Sequence, residues 1–287
     1  MRALVTGHNG YIGGNFVKKW EELGHEWVGY DYNGGSQTSH DLLSGIDENH
    51  VGDVDIIFHF AAIPRVAYSV ENPKHVMSNN IVSTSVVLEY AKDRNIPVVY
   101  SSSSSVVGNG SGPASPYALS KYVGEMETLL YYRLYGLKTV ALRYFNVYSY
   151  DQKAGSQYAT VVCNWKKFIK ENKTPYITGA GDQRRDMTHV DDIVSANVFC
   201  AENIDNNDLW GDWYDVGSGG NISLNELRKI VLKYFPDLGF QYTKERKGDV
   251  LCTEADTSKL SAKGWKSKVD LRAGLENIFR RLKEEMK

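Results

Sequence analysis

Tyr117 and Lys121 stand four residues apart in the stretch Pro116-Tyr117-Ala118-Leu119-Ser120-Lys121. On a helix that spacing puts both side chains on one face. A lysine ammonium beside a tyrosine favours the phenolate and lowers the pKa of the phenol. Tyr117 would then work as a base toward a sugar or alcohol hydroxyl near neutral pH. Five serines, Ser101 to Ser105, run out of the preceding apolar stretch, and one of their hydroxyls can hydrogen-bond the reacting oxygen. Taken alone, Y-x-x-x-K is common and usually marks a surface pair. Its meaning depends on what surrounds it.

The surroundings begin at the N-terminus, with Val5-Thr6-Gly7-His8-Asn9-Gly10-Tyr11-Ile12-Gly13-Gly14. The apolar run before it reads as a first strand, and Ile12, Phe16, Val17 and Trp20 as one side of a following helix. Gly7 allows a tight bend, Gly10 lets the backbone approach a pyrophosphate, and Gly13 lets the helix pack against the sheet. The helix N-terminus offers N–H groups to the phosphates. The spacing is G-x-x-G-x-x-G rather than G-x-G-x-x-G. A second strand, His25 to Tyr30, ends at Asp31, about twenty residues on, where a carboxylate can hold an adenosine ribose. A 2′-phosphate would be repelled there, so NAD is favoured over NADP.

Strands and helices that could position these groups follow in alternation. Asn33-Gly34-Gly35-Ser36 reads as a turn, and His40 to Leu43 as a short strand end or loop. Asp53 to Ala62 is apolar and buried on both faces, and reads as a fourth strand. A helix from Asn72-Pro73 to Arg94, a fifth strand at Ile96 to Tyr100, a helix from Ser115 to Tyr135 and a sixth strand at Lys138 to Tyr144 come next. This rhythm predicts an α/β fold, a Rossmann-type doubly wound parallel sheet. Beyond Asn146 it loosens into loops at Tyr150 to Ser156 and Gly179 to Arg185, helices at Thr160 to Lys170, Val190 to Ala201, Leu224 to Phe235 and Leu271 to Lys283, and a strand at Trp213 to Val216. The expected division is residues 1–148 as a dinucleotide-binding domain to which 187–218 return. A smaller α/β substrate-binding lobe takes 149–186 and 219–287.

The 287 residues carry a net charge of −2 and are 42% hydrophobic, which gives no reason to expect nucleic acid or a membrane surface as partner. Cys163, Cys200 and Cys252 are too few and too scattered for a disulfide framework or a zinc site. The seven histidines include no H-x-x-x-H pair, so no metal is expected. The chain begins directly with a strand, without a signal segment or a spanning apolar run, and a cytoplasmic protein is expected.

Thr6-Gly7-x-x-Gly10-x-x-Gly13, Asp31, His59-Phe60-Ala61-Ala62, Ser101-Ser102-Ser103, Tyr117-x-x-x-Lys121 and Arg143-Tyr144-Phe145-Asn146-Val147-Tyr148 occur in that order. Together they resemble the extended short-chain dehydrogenase/reductases, specifically the NAD-dependent nucleotide-sugar epimerases and dehydratases. Further matches are Gly179 to Ile193, Arg246-Lys247-Gly248-Asp249, Ala255 to Lys259 and Gly264-Trp265-Lys266. The resemblance implies NAD held by Gly7, Gly10, Tyr11, Ile12, Gly13, Asp31, Asp41, Leu42, Phe60, Ala61, Ala62, Asn80, Tyr117, Lys121 and Tyr144. It implies Tyr117 as base, Ser103 as its hydroxyl partner, and Lys121 also on the nicotinamide ribose. A nucleotide-diphosphate sugar would meet Ser103, Asn146, Arg185, Arg246 and Asp249. For the two arginines the plainer reading is a surface ion pair, and His59 reads as structural rather than catalytic.

The resemblance also narrows the reaction. The family's 4,6-dehydratases place an Asp-Glu pair after the active-site Thr or Ser, where this chain has Ser104-Ser105. No cysteine lies near Tyr117 or Ser103 to serve 3,5-epimerisation. What remains suits 4-epimerisation of a UDP-hexose or UDP-N-acetylhexosamine through a 4-keto sugar. The alternatives are a 4-reductase or dehydrogenase of the same family, and a non-catalytic NAD-sensing module. Thirteen residues separate Ser103 from Tyr117, short for the family, so a clipped loop at Asn109 to Pro113 would open one wall of the sugar pocket. The helices from Asn72 and Ser115 resemble the family's dimer-forming pair, which implies a homodimer.

Overall fold

The computed structural model describes residues 1–32, 40–64, 66–108, 110–152, 160–245 and 250–287. The expected turn at 33–36, residue 109 of the clipped loop, 153–156 of the loop after Tyr150, and the stretch 246–249 lie outside them. In chain order the first half runs β1 (Arg2–Thr6), α1 (Tyr11–Glu22), β2 (Glu26–Tyr30), α2 (Glu48–Val51), β3 (Ile56–His59), α3 (Val66–Glu71), α4 (Pro73–Arg94), β4 (Val98–Ser103), α5 (Pro116–Tyr135) and β5 (Thr139–Tyr144). The second half runs α6 (Val161–Lys170), β6 (Tyr176–Thr178), β7 (Arg184–Arg185), α7 (Val190–Glu202), β8 (Asp212–Val216), β9 (Ile222–Ser223), α8 (Leu224–Tyr234), β10 (Gln241–Thr243), β11 (Cys252–Thr253), α9 (Ser258–Ser261) and α10 (Leu271–Glu285).

Among the described residues six parallel strands form the main sheet, in the order β2-β1-β3-β4-β5-β8. Successive residues of its inner strands are apolar and face opposite sides. Ala3, Val5, Ile56, Phe58 and Val99 enter one core with Phe16 and Trp20 of α1 and Ile193, Ala196 and Cys200 of α7. Leu4, Ile57 and Val98 enter another with Val87, Leu88 and Ala91 of α4. Helices on both faces make the sheet doubly wound, as the alternation predicts. A third core, around Trp165 and Ile169 of α6, Leu227 and Ile230 of α8, and Leu275 and Phe279 of α10, holds the C-terminal lobe together. The start of α8 is fixed by a capping box, Ser223 and Glu226 each satisfying the other's backbone.

Within the main sheet the strand count differs from the sequence reading in one place. His40 to Leu43 is not a strand: Asp41 accepts a hydrogen bond from the Leu43 N–H and caps a short 3₁₀ turn, Leu42–Ser44. The apolar run ending at Ala62 is therefore the third strand, not the fourth. The serine run is also more ordered than expected. β4 continues through Ser103, pairing Ser103 with Tyr144, and Ser103 then caps a second 3₁₀ turn, Ser104–Val106. None of the described helices is long and apolar enough to cross a membrane.

Because all six strands are parallel, Gly7, Asp31, Ala61, Ser103 and Asn146 follow carboxyl ends on one edge. The order reverses between β1 and β3, and the crevice at such a switch point is where open α/β sheets take ligands. His59 is fully buried just below it. Its Nδ1 lies 2.7 Å from Thr6 Oγ1 and its Nε2 3.2 Å from Thr84 Oγ1. Thr84 itself donates to the Asn80 carbonyl, so His59 Nε2 is the nitrogen that donates. Burial, with Lys121 nearby, pushes its pKa down to about 3. The neutral ring ties β1 to α4 and has no exposed edge for chemistry.

That depression has a measurable consequence. Below pH 6.5 the unfolded chain protonates this histidine and the folded chain does not, so acid favours unfolding until the pH nears the folded pKa. The expected loss is about 1.4 kcal/mol for each unit of acidification in that window. His59→Gln, which cannot titrate, should have a correspondingly shallower stability–pH curve by denaturant unfolding. Comparing the two proteins isolates His59 from Asp215, whose pKa is raised to about 6 and acts in the opposite sense. Parallel curves would contradict the assignment.

Candidate active site

The cofactor end is built from backbone. Gly7 has φ +70°, and a Cβ on it would lie 2.6 Å from the Ala61 nitrogen. A Cβ on Gly13 would lie 2.3 Å from the Gly7 carbonyl oxygen. The glycines therefore let β1, β3 and the start of α1 close on one another. Gly10 is the N-cap of α1 and no side chain caps the helix, so the first turn at Tyr11 and Ile12 presents its N–H groups as an anion site does. Asp31 Oδ2 accepts from the Asn9 N–H at 2.9 Å, which sets the carboxylate beside this loop. Beyond it, Tyr30, His40, Asp41, Ser44, Gly45, Ile46 and Asp47 line a cavity of about 370 Å³. Leu42 is buried beneath. An uncapped helix end, a glycine cradle that side chains would fill, and an acid next to a cavity together fit a dinucleotide.

Other expected cofactor residues are less direct. Ala61 and Ala62 follow β3 at the switch point, and the Ala61 N–H donates to Thr6 Oγ1 at 3.2 Å. Phe60 packs on Phe16 and Phe58. Asn80 is buried, with its amide oxygen on the Ile63 N–H at 2.8 Å and its nitrogen on Ser120 Oγ at 3.0 Å. It braces the loop that carries Ala61 and Ala62. The Tyr144 hydroxyl is engaged below the edge by Ser101 and Asn197.

Tyr117, Ser103 and Lys121 do come together. Ser103 Oγ accepts from Ser105 Oγ at 2.9 Å and from the Ser105 N–H at 3.3 Å. Its own proton is then free to turn toward the Tyr117 phenol beside it. Gly124 draws α5 onto β4: a Cβ there would lie 2.3 Å from the Tyr100 hydroxyl. Lys121 Nζ sits 4.3 Å from the centre of the Tyr100 ring.

One expectation is corrected. The Tyr117 phenol is pushed up from its ordinary value, because burial outweighs the opposing influence of the Ser103 hydroxyl. Lys121 is itself almost fully buried, and burial pulls its pKa down to about 7 against the opposing charge of Glu125. The spacing puts both residues one turn apart on α5. The direction of the phenol shift depends on desolvation, which spacing does not reveal.

On the substrate side, Asn146 adopts φ +31°, and its Nδ2 donates to the Asp186 carbonyl at 2.6 Å. The buried Asp186 carboxylate gathers Ser218 N and Oγ, Gly219 N and Ala255 N at 2.8–3.2 Å. It thereby pins the end of β8 to the loop after β11. Arg185 lies on β7, half-buried, beside β11. Arg246 and Asp249 lie outside the described residues. Sequence reasoning missed Asp186, His8 and Glu125. His8 packs against Gly29 and Trp27, where the missing Cβ of Gly29 makes room. Glu125 had a signal, for it falls one turn after Lys121 on the same face.

These features have counterparts among known proteins. Residues 3–217 match the model of the NAD dependent epimerase/dehydratase family. A Methanocaldococcus jannaschii protein provisionally named UDP-glucose 4-epimerase is 32% identical, over 98% of each chain. The structure of a Methanobrevibacter ruminantium UDP-N-acetylglucosamine 4-epimerase in complex with UDP-N-acetylmuramic acid superposes with a TM-score of 0.88 at 29% identity, covering 99% of each chain. A Bacillus cereus UDP-glucuronic acid 4-epimerase in complex with UDP-glucuronic acid and NAD does so at 0.87 and 27%, covering 99% of this chain and 100% of that one. With the glycine cradle, the acid after β2 and the Ser-Tyr-Lys group on one sheet edge, this chain belongs to the NAD-dependent epimerase/dehydratase family.

Proposed function

We propose that this protein is an NAD-dependent nucleotide-sugar 4-epimerase acting on a UDP-hexose or UDP-N-acetylhexosamine. The observation that carries the reading is the meeting of Ser103 and the Tyr117 phenol at the sheet edge, with Lys121 one helical turn on and only Ser104 and Ser105 where a dehydratase needs an acid and a base. Bound NAD supplies a reversible hydride acceptor, which suits oxidation and re-reduction at one carbon and leaves no net redox change. Residues 1–148 with 187–218 hold it through Gly7, Gly10, Gly13 and Asp31. Residues 149–186 and 219–287 hold the nucleotide diphosphate, with Asn146 and Arg185 as contacts and with Arg246 and Asp249 assigned to it by the family resemblance alone.

Tyr117 takes the proton of the sugar 4-hydroxyl and later returns it. Ser103 donates to the reacting oxygen, and Ser105, by donating to Ser103, keeps that proton pointed outward. Asn146 and the arginines grip the nucleotide while the keto sugar turns over. Incubation with UDP-glucose, UDP-N-acetylglucosamine, UDP-glucuronic acid and a non-uridine control, followed by chromatography, should give a C4 epimer with no net absorbance change at 340 nm. Stoichiometric change at 340 nm would favour a reductase or dehydrogenase.

Val82, Leu119, Tyr122, Leu130 and Leu134 on α4 and α5 are exposed, and an apolar face of this kind supports a homodimer. Light scattering should give twice the chain mass. Three unpaired cysteines suit the cytoplasm.

A further inference from the structure

Glu125 is completely buried, one helical turn past Lys121 and two past Tyr117, so all three lie along one face of α5. Ser102, next to Ser103, donates to its Oε2 at 2.7 Å. Arg143 of β5 closes on it with two hydrogen bonds, Nε to Oε2 at 2.9 Å and Nη2 to Oε1 at 2.5 Å. The same guanidinium lies 3.5 Å from the centre of the Trp213 ring and 3.9 Å from Asp215 Oδ1 on β8. Charges therefore alternate inward from the active site, through Lys121, Glu125, Arg143 and Asp215. A buried ion pair is not needed to hold a fold together, since apolar side chains of like volume often do so as well or better. This one is better explained by what its charge does to the lysine.

We propose that Glu125 is a positioning residue for the reaction: anchored by Arg143 and Ser102, it fixes the turn that carries Lys121 and supplies the negative charge that keeps the Lys121 ammonium protonated behind Tyr117. The proposal rests on the epimerase reading for its purpose, though not for its test. Lys121 is faced by Tyr100 of β4, whose ring lies against the ammonium, by the neutral His59 of β3, and by Glu125 of its own helix, with Tyr117 one turn before it. Glu125 is faced by Ser102, Arg143 and Asp215. Burial drives Lys121 toward the neutral amine, and Glu125 is the neighbour that opposes it. Without that charge the lysine would lose its proton at lower pH.

The test is the titration of Lys121 in protein labelled with ¹³C at lysine Cε, assigned with a Lys121→Arg variant and measured without sugar. In Glu125→Gln the midpoint is expected to fall by about one pH unit, a tenfold loss of proton affinity. The alkaline limb of kcat should fall with it, while KM changes by less than about threefold. Glu125→Asp keeps the charge and withdraws it by one methylene, so it should move the midpoint the same way by a smaller step. It carries the test alone if the glutamine variant does not fold. An unmoved Lys121 midpoint overturns the proposal, even if kcat falls. Failure of the epimerase reading would show separately, as wild-type protein that converts no nucleotide sugar.

Discussion

Tyr117→Phe is expected to lower kcat by about 10²- to 10⁴-fold, with little change in KM or in the amount of NAD retained. The substitution removes one oxygen and keeps the ring that packs at the start of α5. On the proposed reading it loses the group that exchanges a proton with the sugar hydroxyl beside Ser103. One hydrogen bond at a partly buried position contributes about 1 kcal/mol to stability, so the thermal midpoint should move little. Steady-state kinetics beside a thermal melt separates the two effects. A variant that keeps more than a tenth of wild-type kcat would remove Tyr117 from the base role. A variant that loses activity only by unfolding would leave that role undecided by kinetics, and single-turnover assay of its folded fraction would then settle it.

Gly7→Ala is expected to abolish NAD retention and to destabilise the protein by about 2–4 kcal/mol. Two costs add. A side chain at φ +70° is strained wherever it sits, and this Cβ would lie within 2.9 Å of three backbone atoms of Phe60 and Ala61, which no rotamer change can move aside. Relief requires β1 and β3 to separate at the switch point, where the dinucleotide loop starts. Gly24→Ala is the control. It has φ +79° but nothing within 4 Å of its Cβ, so it should cost only the conformational strain, about 1–2 kcal/mol, and keep its NAD. Acid release of bound nucleotide together with denaturant unfolding reads both quantities. Equal behaviour of the two variants would show that the cradle is not tight.

The parts of the site that were legible in the sequence are local ones. The strand–glycine–helix turn, the helices around Pro73–Arg94 and Pro116–Tyr135, and the Tyr117–Lys121 spacing follow from periodicity, prolines at helix starts and residue type. β8 pairs with β5 at the edge of the main sheet. At His40 to Leu43, read as a strand end or a loop, an aspartate cap makes a 3₁₀ turn instead, which is chemistry of a single side chain. β6, β7, β10 and β11, two or three residues each, are too short to show a period. The raised phenol of Tyr117 and the lowered ammonium of Lys121 depend on how deeply the folded chain buries them, and no spacing carries that information. Glu125 was within reach, since its register with Lys121 is plain. Its meaning required Arg143, which arrives from another strand.

The most direct measurement follows one hydrogen. A UDP-sugar carrying deuterium at C4 is incubated with the purified protein in ordinary water, and the epimer is examined by NMR and mass spectrometry. If Tyr117 removes the hydroxyl proton while the carbon-bound hydrogen is lifted and returned within one closed site, the inverted product keeps its deuterium at C4 and absorbance at 340 nm ends where it began. Deuterium lost to water, inversion at another carbon, or a lasting change at 340 nm would contradict 4-epimerisation.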